Sequence, residues 1–522
     1  MTPPVPAGSN DLYEDVTAKA GIKFVQQFCD NRIANILESN GSGVAVLDYD
    51  RDGFMDLYLV NAGPLPGVTH EPPGTKRWPN RLYHNRGDGT FEDVTEKAGV
   101  AGSGYGIAAI SADYDNDGYP DLFVINVGRN ILYHNRGNGT FEDVTEKAGL
   151  ARTGTGIGAV FFDADGDGKL DLFVANYLTF DPNYKLYFNP EAYPGPLAYK
   201  PEENVLYHNR GDGTFEDISG SAGIRVPGHR AMSVAALDYN LDGAPDLYVS
   251  NDATPNLLLV NDGKGHFSEK AVQASVAFNA VGESAGSMAA SIGDCNGDLI
   301  PDILVTRLGY GSLYMGTPKF VYEDRMMASG LGAITAEYVG WGGGFVDFDN
   351  AGKLDIFIAN GDPHHLVGWE SLLLENDGAG NFTNVREKGG AFFATRINAR
   401  GCVVLDFDND GRPDVLVTTL GDRPFLLHNR SAAGNHWLTL DLEGTKSNRD
   451  GFGAHVTVQA GDRKYYQEAR CPTGFLSCGD RRLHFGLGRA AAVRQVEIRW
   501  PSGQVQVLKD VALDRIVKVR EP

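Results

Sequence analysis

The stretch Asp48-Tyr49-Asp50-Arg51-Asp52-Gly53-Phe54-Met55-Asp56 sets carboxylates at positions 1, 3, 5 and 9 of a nine-residue loop. That spacing lets one turn surround a hard cation with oxygens, and Gly53 supplies the sharp bend. The pattern returns at Asp113, Asp163, Asp238, Asp294, Asp347 and Asp406, so seven copies run through the chain. A loop repeated seven times is architecture.

Each loop lies between two strand-length apolar runs, such as Gly43-Val44-Ala45-Val46-Leu47 before and Leu57-Tyr58-Leu59-Val60 after. An Asp-Gly or Asn-Gly turn follows, as in Leu82-Tyr83-His84-Asn85-Arg86-Gly87-Asp88-Gly89-Thr90-Phe91, and predicts a hairpin of two further strands. The repeat spacings of 65, 50, 75, 56, 53 and 59 residues accommodate one four-stranded sheet each plus variable loops. Repeats of this size built from four antiparallel strands predict propeller blades. The strand text of Phe91-Glu92-Asp93-Val94-Thr95 also stands at the start, as Tyr13-Glu14-Asp15-Val16-Thr17, while the seventh unit ends at Asn429-Arg430 without it. The N-terminal strand is therefore expected to complete the last blade and close the ring. From about Asn435 the acidic loops give way to alternating runs such as Trp437-Leu438-Thr439-Leu440 and Val496-Glu497-Ile498, which predict a small β-sandwich beside the propeller. The expected fold is all-β: a seven-bladed propeller over 1–432 and a β domain over 433–522.

The loop acids resemble FG-GAP/VCBS repeats. The tail Gly444-Thr445-Lys446-Ser447-Asn448-Arg449-Asp450-Gly451-Phe452-Gly453-Ala454, with Leu483-His484-Phe485-Gly486-Leu487-Gly488 and Trp500-Pro501-Ser502-Gly503, resembles an ASPIC/UnbV domain. Together they resemble the cartilage acidic protein family over nearly the whole chain. The resemblance implies a calcium-loaded seven-bladed propeller and little about activity.

Candidate metal ligands are Asp48, Asp50, Asp52 and Asp56; Asp113, Asp115, Asp117 and Asp121; Asp163, Asp165, Asp167 and Asp171; Asp238, Asn240, Asp242 and Asp246; Asp294, Asn296, Asp298 and Asp302; Asp347, Asp349 and Asp355; and Asp406, Asp408, Asp410 and Asp414. The alternative is seven solvated turns that favour Asp and Gly, but such turns have no need of the ninth-position acid. Up to seven Ca2+ ions are expected, since the donors are oxygens, numerous and on flexible loops, with Mg2+ admissible at some sites. Ala351 removes a ligand from the sixth loop, whose site should be weakest, and Leu299 replaces the usual glycine in the fifth.

Lys and Arg number 46 against 68 Asp and Glu, a net charge of −22 that disfavours nucleic acid and anionic lipid as partners. Of the acids, 25 are Asp at loop ligand positions. No apolar run is long enough to span a membrane. The opening Met1 to Gly8 lacks a signal peptide's basic and apolar regions, so the expected compartment is the cytoplasm, or an extracytoplasmic one if a leader has been removed. The cysteines are Cys29, Cys295, Cys402, Cys471 and Cys478; the last two are close enough in sequence to pair, or are simply small buried residues.

If the acidic loop joins the first two strands of a blade, the Asp-Gly hairpin lies on the same face, and the remaining loops build the opposite one. These loops carry the candidates for binding a small-molecule or protein ligand: Glu38, Asn40, Tyr105, Tyr177, Arg230, Tyr338, Trp341, His364 and Arg396. The leading expectation is a binding module acting through that face. Its rival is a metal-dependent cyclase or isomerase of secondary metabolism that takes a small apolar molecule in the channel, with His229, Glu283 and Asp362 as acid–base groups. Gly282-Glu283-Ser284-Ala285-Gly286 matches a nucleophile elbow, but a strand follows it and not a helix.

Overall fold

A computed structural model describes residues 1–6, 8, 10–27, 33–65, 68–69, 78–184, 193–432 and 434–522. Cys29 and the stretch 185–192 of the tyrosine-rich insertion lie outside these described residues.

Seven four-stranded antiparallel meanders follow one another. Blade one comprises Val44–Leu47, Asp56–Leu59, Arg81–Asn85 and Phe91–Asp93. The inner strands of blades two to seven begin at Tyr105, Thr153, Ala231, Ser287, Gly340 and Ala399. Each inner strand packs against the next, and that of blade seven returns to that of blade one. Inner strands such as Val44–Leu47 are buried throughout, whereas outer strands such as Phe91–Asp93 bury only their first residue. Blades therefore stack face to face largely on aliphatic and aromatic side chains, with buried amides and carboxylates such as Asn135 and Asp121 among them. Tyr13–Asp15 pairs with Phe425–Asn429, so the N-terminal strand does complete blade seven.

The last propeller strand ends at Asn429 and the sandwich begins at His436. One sheet of the sandwich joins Leu483–Gly488, His436–Glu443 and Arg515–Arg520; the other joins Arg463–Glu468, His455–Ala460, Val493–Arg499 and Val505–Val511. Leu438, Leu440, Val456, Val458, Phe485, Val496, Ile498 and Trp500 fill the space between them.

Near the end of the chain, the Glu521 carboxylate accepts the backbone N–H groups of Thr445 (2.7 Å), Lys446 (2.8 Å) and Ser447 (2.9 Å) and the hydroxyls of Ser447 (3.0 Å) and Ser502 (2.5 Å). Although burial opposes ionisation, these donors outweigh it and hold the Glu521 pKa down at about 2. A depressed carboxylate stabilises the fold above its unfolded value and loses that contribution as pH falls from about 4.5 to about 2. Glu521→Gln is expected to cost about 2–3 kcal/mol at neutral pH in a denaturant melt, with the gap to wild type closing below pH 3.

The sandwich is not beside the disc. It covers the acidic-loop face, and the hairpin Thr473–Gly474/Ser477–Cys478 descends from it into the propeller. Ser477 and Cys478 pair in parallel with Val44 and Ala45 of the first inner strand. The tip residue Phe475 lies 5.0 Å, ring to ring, from Trp341 of blade six. Glycines of the inner strands make the room: a Cβ on Gly43 would collide with the Leu476 carbonyl and the Ala108 backbone. Thus the protein's own finger occupies part of the channel proposed for a small apolar substrate.

Candidate functional site

All seven acidic loops share one backbone course. Position four is left-handed at Arg51, Asn116, Gly166, Leu241, Gly297, Asn350 and Asn409. Position six is left-handed too, even where the residue is Leu299 (φ 70°) instead of glycine. This turn aims the position-six N–H at the first carboxylate in every loop, at 3.0 Å for Gly53 to Asp48 and 2.8 Å for Leu299 to Asp294. Asp48, Asp50 and Asp52 each offer an oxygen within 4.8 Å of the others. Asp48 Oδ1 and Asp408 Oδ1 are buried and meet no hydrogen-bond donor among the described residues, which fits a cation as their partner.

The ninth-position acid has a second task that the sequence did not reveal. Asp121, fully buried, accepts the backbone N–H of Tyr114 on Oδ2 and that of Asn135 on Oδ1, tying its loop to the third strand. Burial raises these ninth acids, Asp56, Asp121 and Asp302 to about 7, Asp246 to about 8 and Asp355 to about 9, with neighbouring loop carboxylates adding to the rise.

Four loops also receive a histidine from the third strand. His84 Nδ1 stands 3.2 Å from Asp56 and 3.4 Å from Asp50. His134 and His208 repeat this at loops two and three, while at loop seven His428 turns Nε2 to Asp408 (3.1 Å) and Asp410 (3.6 Å). The recurring Leu-Tyr-His-Asn text carried the signal, but a strand-interior histidine gives no hint of which loop it will meet.

The sandwich reaches into the same face. The Asp113 and Asp238 N–H groups donate to Asp450 (2.9 Å) and Glu468 (3.0 Å), and His455 Nε2 sits 3.2 Å from Asp238. Arg482, held by Asp480, donates to the Asp406 carbonyl (3.0 Å) and Asn409 (2.7 Å). His484 bridges Asn350 of the sixth loop (2.7 Å) and Thr439 (2.9 Å); burial lowers it to about 4, so the ring is neutral. A cavity of about 260 Å³ remains between the domains, lined by Ile292, Phe345, Val403, Arg470, Arg482 and His484 among others.

On the opposite face, the residues read as ligand or catalytic groups are largely engaged. The Glu38 carboxylate accepts the Ala34 N–H and the Thr69 hydroxyl, and Asn40 donates to Ile36. Tyr105 is buried. Trp341 is buried too, its indole N–H bound by the Gly361 carbonyl. Tyr338 accepts from Arg386, and Arg396 lies over Trp369 and pairs with Glu370. His229 contacts the Pro255 carbonyl at 3.0 Å and burial lowers its pKa; Glu283 is exposed; Asp362 accepts the His364 and His365 N–H groups. These last three stand on separate loops, and among the described residues no hydrogen bond or ion pair joins any two of them.

What the structure does bring together is different. Tyr177 donates to Asp252 at 2.5 Å, where burial raises the carboxyl and the Tyr177 hydroxyl and the Arg230 charge oppose the rise. Arg230 donates to the Tyr199 carbonyl, Tyr193 reaches across to the Pro363 carbonyl, and its ring stands 4.8 Å from His364. Arg400 is wholly buried with its guanidinium 4.0 Å above Trp341. It donates to Ser39, Asn398, Ala399 and Asp362, and burial lowers its pKa to about 9.

Sequence profiles agree with this architecture. The FG-GAP-like repeat matches residues 69–124, 113–174, 197–249, 238–305 and 347–417, more than half of the chain, and ASPIC and UnbV matches 444–522. The chain belongs to the FG-GAP-like repeat family. Cartilage acidic protein 1 from Homo sapiens is 25% identical over 334 residues, 61% of this chain and 40% of the relative. The Mus musculus protein is 24% identical over the same length. The FG-GAP-like protein thus aligns with about two fifths of these relatives' length. Among solved structures, an Agrocybe aegerita lectin that recognises non-reducing terminal N-acetylglucosamine matches at TM-score 0.41 and 15% identity, covering 73% of this chain and 86% of that one. BBS1N, solved in complex with ARL6DN, matches at 0.42 and 9%, covering 78% and 98%. Similarity at that level adds nothing to the reading of the site.

Proposed function

We propose that this FG-GAP-like protein is a calcium-stabilised binding module whose ligand meets the loop face opposite the acidic loops. One observation carries the reading: the sandwich covers the acidic-loop face and its finger enters the channel, so that the opposite rim is the loop face the sandwich leaves uncovered among the described residues. That rim carries exposed His364, His365, Leu366, Val367 and Glu283, together with buried Tyr177 and its half-buried partner Asp252. Aromatic and polar groups side by side suit a hydroxylated small molecule or a protein side chain. The seven loops supply rigidity, with calcium as the cation their oxygen donors favour.

A second reading, a catalytic one, rests on Tyr177 and Asp252 as proton donor and acceptor at this rim, the hydrogen-bonded pair the structure brings together there. Soaking crystals of the calcium-loaded protein with a mixture of phenols and monosaccharides tests the placement. Density beside Tyr177, Tyr193 and His364, abolished in Asp252→Asn, is the expected result. Density confined to the cavity between the domains would overturn it.

A further inference from the structure

Cys471 and Cys478 flank the finger. Their Sγ atoms lie 3.7 Å apart, both residues are 1% exposed, and both thiols also face the Ser111 carbonyl. Between them the chain runs out along Thr473–Gly474, turns at Phe475 and the left-handed Leu476 (φ 57°), and returns along Ser477–Cys478. Gly479 N–H donates to the Pro472 carbonyl at 2.9 Å, so the neck of this loop is already closed by backbone. The two sulfurs need only a small approach to reach bonding distance, about 2.05 Å. Cys295 and Cys402 are buried singly elsewhere, so the neck holds a matched pair among the described residues.

We propose that Cys471 and Cys478 form a disulfide that staples the finger at its neck when the chain folds in the presence of a disulfide oxidant. The thiolate of one cysteine attacks a sulfur of the oxidant, such as oxidised glutathione, and expels one thiolate, leaving a mixed disulfide on the protein. The second cysteine's thiolate attacks that protein sulfur and expels the other glutathione thiolate. The protein gives up two protons and two electrons, and the oxidant becomes two thiols. Because the docked thiols are shielded from solvent, exchange must precede insertion of the finger. The redox state is thereby fixed during folding and kept afterwards. The staple pre-forms the loop whose tip presses Phe475 against Trp341, and Trp341 in turn lies under Arg400 at the opposite rim.

Trypsin should release Cys471 to Arg481 as one peptide holding both cysteines. The full chain is refolded from denaturant with calcium, in oxidised glutathione or in dithiothreitol, then alkylated under denaturing conditions and digested. After oxidative refolding the peptide is expected unalkylated and two hydrogens lighter; after reductive refolding it carries two alkyl groups. The oxidised protein should melt roughly 2–4 °C higher than the reduced one. That difference should vanish in the Cys471→Ser/Cys478→Ser variant, which keeps the finger's length and turn. A folded protein whose oxidatively refolded peptide still carries two alkyl groups, or carries glutathione on one cysteine, overturns the proposal.

Discussion

Chelation is expected to lower the melting temperature of this protein by roughly 20 °C or more. A cation bound at a hundred times its Kd stabilises the fold by about 2.7 kcal/mol per site. Six or seven such sites together match or exceed the roughly 5–15 kcal/mol that holds an ordinary domain. Seven divalent ions would also bring the formal charge from −22 to −8. The pH dependence separates this from a general salt effect. In the cation-free protein, burial and neighbouring carboxylates raise Asp121 to about 7, Asp246 and Asp347 to about 8 and Asp355 to about 9. A carboxyl raised above its unfolded value of 3.8 binds more protons folded than unfolded, so apo stability falls as pH rises from about 4 to about 9. Calcium favours the ionised form and removes that penalty. In EDTA the melting temperature should therefore drop between pH 6 and pH 9, while in calcium it should stay nearly level. Adding calcium to weakly buffered apoprotein at pH 7 should release protons. A melt unchanged by EDTA, with no proton release, would sink the calcium reading.

The parts of the fold that repeat were the parts legible in the sequence. Seven loops, four strands per unit and the displaced strand Tyr13–Asp15 follow from local periodicity and turn chemistry, and a repeat supplies its own replicates. The relation between the two domains was not legible. Nothing in Cys471-Pro472-Thr473-Gly474-Phe475-Leu476-Ser477-Cys478 states that it enters a channel, and only with the ring assembled do Gly43 and Gly401 become the space it occupies. The same holds at the opposite rim. Asp252 and Tyr177 are 75 residues apart, and Arg400 reaches the Ser39 carbonyl across 361. Pairings over such separations depend on ring closure, which no window of sequence contains. His229, Glu283 and Asp362 stand out by residue type, and residue type does not say whether a carboxylate is spent on a turn, as Asp362 is on the His364 and His365 N–H groups.

Replacing the strand-three asparagine should reveal how the blades are held together. Asn135 Nδ2 donates to Pro120 of its own loop (3.0 Å) and to the Tyr49 carbonyl of blade one (2.8 Å), while its Oδ1 accepts the Gly137 N–H (3.1 Å). Asn85, Asn209, Asn261, Asn376 and Asn429 make the same reach to the preceding blade, at Phe407, Tyr114, Ala164, Cys295 and Phe348. Blade five has Gly316 at this place, so the stitch between blades four and five is missing. Each stitch is buried, and removing the amide strands two carbonyls without a donor. At roughly 1 kcal/mol per hydrogen bond plus 1–3 kcal/mol for unsatisfied buried groups, Asn135→Ala should cost about 3–4 kcal/mol in the calcium-loaded protein. Asn135→Asp should cost as much, because a carboxylate cannot donate to the Tyr49 and Pro120 carbonyls. The unstitched seam should open first: native-state hydrogen exchange is expected to be faster on the inner strand Ser287–Gly293 than on Tyr105–Ala112. Equal protection of those two strands, or an Asn135→Ala variant within 1 kcal/mol of wild type, would mean that the ring is held by blade packing and cations alone.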